Sequence, residues 1–159
     1  MDETRTSEAT PRTTVERRSD REVVVTRWFD APARLVFKAW STPELFQRWW
    51  VPQSMGMTLY ACEMDVCTGG TYRLNFGEGM DFFGRYLEVT PPSRIVWTNE
   101  EGGDDASVST VTFEEHDGRT LLVMSELYPT KEALDAAGGA EEATHETFSQ
   151  LDELLATLR

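Results

Sequence analysis

Few residues in this 159-residue chain have the types and spacing to do chemistry. A hydrolytic triad needs a nucleophile, a base within hydrogen-bond reach and an orienting acid. The two histidines do not supply it. His116 precedes Asp117-Gly118, a two-residue hairpin signal, and so falls at a hairpin tip. His145 lies to the side of the apolar stripe of a terminal helix. Cys62 and Cys67 form a lone Cys-x4-Cys pair, short of the four ligands of structural zinc, so reduced, partly buried thiols, no metal site and no cofactor are expected. Among the carboxylates Glu63, Asp65, Glu88 and Glu126, the last follows Leu122 and Met124 by alternation and would point inward. Burial would raise its pKa and suit it to acid or base work in a cyclase- or hydrolase-like enzyme. The other reading puts Glu126 in water at a strand end, or pairs it with an arginine such as Arg85. No catalytic residue is assigned, and Glu126 is the one candidate.

The apolar residues point elsewhere. Phe76, Met80, Phe82, Phe83, Tyr86, Trp97, Phe113, Met124 and Phe148 offer large, adaptable surface of the kind that lines a pocket for a hydrophobic small molecule. The candidate ligand-binding set comprises Tyr72, Leu74, Phe76, Met80, Phe83 and Trp97 on the middle strands. Val111, Phe113, Leu122 and Met124 follow on the last two, and Thr144, Phe148 and Leu151 on the closing helix. The first expectation is thus a binding protein rather than an enzyme, holding an apolar or aromatic molecule. Trp49-Trp50 is expected to pack a helical insert against the sheet, with a place at the cavity mouth as the second reading.

These side chains need a scaffold, and the chain spells one out. Residues 1–21 are polar and are expected to be a disordered tail; residues 22–159 are expected to be one ligand-binding domain. A β-branched run from Glu22 predicts a strand. Pro32 suits a first helical turn with Asp30 as N-cap, and Leu35, Val36, Ala39 and Trp40 recur at helical spacing. A second short helix follows Ser41-Thr42-Pro43. Strands are predicted over 57–65, 71–76, 82–90, 94–100, 107–116 and 120–127, divided by glycine and proline turns. A closing segment capped by Thr130 runs to Gly138-Gly139 and resumes at Ala140. There Thr144, Thr147, Phe148, Leu151, Leu154, Leu155 and Leu158 form one apolar stripe. The predicted class is α+β: a curved antiparallel sheet around a long C-terminal helix, with two short helices after the first strand.

The net charge is −13, and residues 1–21 hold five acids and five arginines, so the excess lies on the folded part. Such a surface repels phosphate backbones and anionic headgroups, which disfavours nucleic acid and membrane partners. With no apolar run long enough for a bilayer and no apolar signal segment, a cytoplasmic protein is expected. A basic protein partner would suit the charge, and a sheet edge or the Trp-bearing insert could support a homodimer.

In order and spacing, a set of these residues resembles a known family. The set is Arg27-x-Phe29-x-Ala31-Pro32, Val36-Phe37 with Ala39-Trp40, Pro43, Trp49-Trp50-x-Pro52, Asp65 before Gly69-Gly70, Gly84, Pro91-Pro92 and Thr120. It is similar to the bacterial homologues of the activator of the ninety-kilodalton heat-shock protein ATPase, within the START-like superfamily that includes polyketide cyclases and birch-pollen-type allergens. The resemblance covers about Glu22 to Arg159. It implies the helix-grip fold with a cavity between sheet and helix, and a possible chaperone-interacting module.

Overall fold

The computed structural model describes residues 13–51, 53–56, 58–77, 81–100, 106–136 and 141–158. Met80, Pro52, Gly138-Gly139 and Ala140, which the sequence singles out, lie outside these residues. Eight strands form one antiparallel sheet in the order β1-β2-β8-β7-β6-β5-β4-β3. They are β1 (Thr14–Arg17), β2 (Glu22–Phe29), β3 (Ala61–Met64), β4 (Thr71–Asn75), β5 (Asp81–Thr90), β6 (Arg94–Asn99), β7 (Ser107–His116) and β8 (Arg119–Leu127). The helices among the described residues are α1 (Ala33–Ser41), α2 (Pro43–Trp49), α3 (Lys131–Ala136) and α4 (Glu141–Leu158), with a 3-10 turn at Gln53–Met55. None of them is long and apolar enough to cross a membrane.

This is the expected helix-grip arrangement. Consecutive hairpins from β3 to β8 carry the sheet round, and β2 closes on β8 with Phe29 opposite Thr120. Helix α4 lays Phe148, Leu151, Leu154 and Leu155, all buried, into the concave face. Three- and four-residue spacing puts these on one side of the helix, as the stripe requires. Helix α1 packs on β7, β8 and α4, and α2 packs on α1, α4 and β3. Phe29 meets Phe148 edge to face at 5.6 Å, tying the first long strand to the last helix.

Three local expectations are revised. Residues 14–17, expected within a disordered tail, form β1, paired with β2 from Thr14–Thr26 to Arg17–Val23. An uncovered β2 would present a row of unpaired backbone groups, and β1 fills it. Val15 packs against the core, and Arg17 reaches Asp135 of α3 at 2.8 Å. At α1 the first turn is not capped by Asp30. Pro32 occupies the N-cap, and the Ala33 N–H donates to Glu115 Oε1 on β7 at 2.9 Å, so the anion that a helix N-terminus favours comes from the sheet. β3 begins at Ala61 rather than near residue 57, after Gly56 at φ +64° and an exposed Tyr60. Thr130 does cap α3, its hydroxyl accepting from the Ala133 N–H at 3.0 Å.

Candidate ligand-binding site

The helical insert that follows β2 is built around indoles. Helical spacing brings Trp40 at the end of α1 and Phe46, Trp49 and Trp50 around α2 into one cluster. Trp40 meets Trp49 at 4.9 Å and Trp97 of β6 at 5.8 Å, and Phe46 stacks on Trp50 at 4.8 Å. Trp49 is fully buried and its indole N–H donates to the Ala39 carbonyl at 3.0 Å. The neighbouring tryptophans therefore divide their work: Trp49 anchors the insert in the core, while Trp50 stands at its rim.

Helix α4 holds the segment after α2 in place. The Gln150 amide donates to the Trp49 and Val51 carbonyls, both at 2.9 Å, and its oxygen accepts from the Gln53 N–H at 2.8 Å. One turn earlier, the Glu146 carboxylate accepts from the Ser54 N–H at 2.9 Å and from the Ser54 hydroxyl at 2.5 Å. These bonds stabilise the charged carboxylate and hold Glu146 below the usual glutamate range.

Between this insert and strands β3 to β6 the side chains leave a hollow of about 60 Å³, half open to solvent. Trp40, Phe46 and Trp50 form one wall. Met64, Tyr72, Leu74, Phe82, Tyr86, Ile95, Trp97 and Asn99 form the other. The wall holds no residue that carries charge at neutral pH; Tyr86 is held neutral, its pKa raised by burial and by nearby Cys62 and Asp65.

The polar end of the wall is tied into the sheet. Tyr72 donates its hydroxyl proton to the Thr98 carbonyl at 2.7 Å. Asn99 Oδ1 accepts from the Trp97 indole at 3.2 Å, and its amide donates to the Ser107 and Ser109 hydroxyls, both at 3.0 Å. Ser109 donates to Glu126 Oε2 at 3.1 Å, and Tyr128 donates to Oε1 at 3.3 Å. Glu126 is half-buried at the far end of this chain of bonds, away from the residues that line the hollow. Arg85, the partner considered for it, pairs with Glu100 at 2.7 Å instead. Burial, and next Glu126 itself, push the Tyr128 phenol up, so it stays a donor.

Of the candidate ligand-binding residues, the hollow brings together Tyr72, Leu74 and Trp97. Phe76 packs on Phe82 at 5.4 Å, just beside it. Phe83 lies on the opposite face of β5 with Arg85, next to the Arg73–Asp81 ion pair. Buried Gly84 and Tyr86 set the inward parity of that strand, so Phe82 faces the hollow. Val111, Phe113, Leu122, Met124, Phe148 and Leu151 are buried in the core beneath α4, with Thr144 half-buried on the helix. The lining residues absent from the candidate set are Trp40, Phe46, Trp50, Met64, Phe82, Tyr86, Ile95 and Asn99, although Phe82 and Tyr86 stand among the apolar residues read as pocket surface and Trp50 in the pair whose second reading is the cavity mouth. Asn99 was within reach, since it stands two residues after Trp97 on the same face of β6.

Gly84 shows how tightly the floor is built. A Cβ there would fall against the Thr98 carbonyl, the group that receives the Tyr72 proton, and against the Tyr72 ring. Backbone cannot swing aside as a flexible side chain does. Gly84→Ala is expected to lower stability by about 1–3 kcal/mol, and to weaken any ligand held over Tyr72. Urea denaturation checks the first effect, and an unchanged midpoint would contradict it.

The family described as activator of Hsp90 ATPase homolog 1-like protein matches residues 30–156. The chain belongs to this family. Its fold agrees with a crystal structure of a Rhodobacter sphaeroides protein at TM-score 0.81 and 26% identity, over 93% of this chain and 100% of that one. A solution structure from Staphylococcus epidermidis is also similar, with TM-score 0.70 and 26% identity over 92% and 95%. A Nitrosomonas europaea protein of 21% identity shares the fold at TM-score 0.77, over 91% and 99%. Among curated proteins none matches. In this activator-homologue-like chain, motif residues at the start of the fold tie its elements together. Arg27 reaches Asp152 of α4 at 2.6 Å, and the Ala31 carbonyl accepts from the Thr120 hydroxyl at 2.7 Å.

Proposed function

We propose that this chain is a receptor for a small apolar or aromatic molecule, held between the α1–α2 insert and strands β3 to β6. The observation that carries the reading is an unfilled, uncharged, largely aromatic hollow beside the buried core. Concave apolar walls with a few polar groups at one end are the usual form of a small-molecule site. The absence of an assigned nucleophile and base leaves the enzyme reading with Glu126 alone, and Glu126 stands outside the wall.

Native mass spectrometry of freshly purified protein, with titration of a hydrophobic dye, tests the receptor reading. Retained ligand or saturable dye binding is expected; neither would contradict it. Leu74→Phe places extra carbons in the hollow, and is expected to weaken dye binding at least tenfold with the melting temperature unchanged or raised. Equal binding by this variant would move the site elsewhere.

The family match supports a second reading, a module that engages a chaperone of the Hsp90 class. The net charge of −13 makes any such contact with a basic surface strongest at low salt. Binding to the cognate chaperone, falling as salt rises, is the expected result; no binding at low salt would end this reading. A cytoplasmic location suits both readings.

A further inference from the structure

Seven of the eleven residues that line the hollow are aromatic, in a chain whose aromatic share is 11%. Their rings do not lie flat on one another across it. Trp40 is inclined 69° to Trp50 and 43° to Trp97, and Tyr72 is inclined 54° to Tyr86, so the walls meet at angles around the hollow. Tyr72, Trp97 and Asn99 hold their hydrogen bonds within the sheet. What the hollow mainly offers is ring surface, and an aromatic ring is negative on its face. Two groups at the hollow report the charge around it. Burial and then Cys62 and the Asp65 carboxylate push the Tyr86 phenol up, and burial and then Glu44 push up the thiol of Cys62, which touches Met64 of the wall. Among the described residues no cation opposes either shift. The arginines of β4 and β5, Arg73 and Arg85, turn to the outer face and pair there with Asp81 and Glu100.

Resting on the receptor reading, we infer that the ligand carries a methylated ammonium head, a cation clothed in methyl groups, which the ring walls of the hollow receive from its open side. Such a head is drawn to aromatic faces, and more strongly where water is excluded. It bears no N–H, so it asks for no acceptor from a wall whose amide and phenol are already bonded within the sheet. A bare ammonium entering the same hollow would lose its water without replacement. The Asp65 and Glu44 carboxylates attract the head from beyond the wall, and would repel an anionic ligand. Phe82, 40% exposed, and half-buried Trp50 stand where the head enters. A neutral hydrocarbon of the same shape fits the walls but gains nothing from the ring faces or the carboxylates.

Two probes of one shape separate charge from fit: meta-hydroxyphenyl-trimethylammonium, and meta-tert-butylphenol, in which a carbon replaces the cationic nitrogen. By titration calorimetry on the full chain, the cation is expected to bind about tenfold more tightly than the phenol. Asp65→Asn is expected to weaken the cation about threefold and leave the phenol unchanged. Protein grown with singly fluorinated tryptophan gives a reading that alters no residue type. Fluorine draws charge from the ring face, so cation affinity should fall while phenol affinity and the melting temperature hold. Equal or tighter binding of the phenol, a cation affinity indifferent to fluorine, or no binding of either probe would overturn the inference. The receptor reading stands through each of these results if the hydrophobic dye binds saturably; if neither the probes nor the dye bind, it falls as well.

Discussion

Trp49→Ala is expected to lower the free energy of unfolding by about 3–5 kcal/mol, the range for a large aromatic removed from a packed core. The Trp49 side chain is fully buried and touches Trp40, Phe46, Trp50 and Phe148, and its N–H closes on the Ala39 carbonyl at the end of α1. Removal empties the centre of the aromatic cluster and leaves that carbonyl without its donor. Against a total stability of about 5–15 kcal/mol for an ordinary domain, the loss is large. It reaches the hollow as well, because Phe46 and Trp50 of its wall rest on Trp49. Urea unfolding followed by circular dichroism measures the effect, and dye binding should fall with it. A loss under about 1 kcal/mol would show that the insert is not packed on the sheet through this residue.

Asp152→Ala is the second large effect, and it acts at the opposite end of the core. Arg27 points inward from β2 at 5% exposure, with Asp152 at 2.6 Å, the Thr13 hydroxyl at 3.5 Å and the Phe29 ring beneath it at 5.1 Å. Burial lowers the Arg27 pKa, and Asp152 opposes that shift. Without the carboxylate a guanidinium stays buried and uncompensated, which costs about 3–5 kcal/mol in enclosed pairs. Asp152 keeps 30% of its side chain exposed, so about 3 kcal/mol, the low end, is expected. Arg27→Met with Asp152→Leu should recover most of the loss, since an apolar pair of similar volume leaves no buried charge. If the double variant were no more stable than Asp152→Ala, the penalty would not lie in the unpaired charge.

What the sequence disclosed and what it concealed divide along the range of the interactions. Asp117-Gly118, the glycine and proline turns and the α4 stripe are local patterns, and the hairpins and the closing helix follow from them. β1 escaped because residues 14–17 contain one apolar side chain, Val15; their order comes from the edge of β2 and from Arg27 and Asp135, distant partners that no window of sequence shows. The position of the hollow escaped for a related reason. Alternation tells which residues face inward, but whether the interior is filled depends on how volumes from separate elements fit. Phe148 and Leu151 of α4 are buried in the core, and the gap lies where the indoles of the insert meet β3 to β6. In β5 two adjacent phenylalanines hid the parity, which buried Gly84 and Tyr86 decide.

The most direct test of the receptor claim uses the five tryptophans as reporters. In proton–nitrogen NMR spectra of the full chain titrated with the hydrophobic dye, the indole signals of Trp40, Trp50 and Trp97, which wall the hollow, should shift together and saturate. Trp28, which packs against His116 and Arg119 elsewhere on the sheet, should stay still. Shifts confined to Trp28, or no saturable shift at the three wall indoles, would contradict the placement of the site.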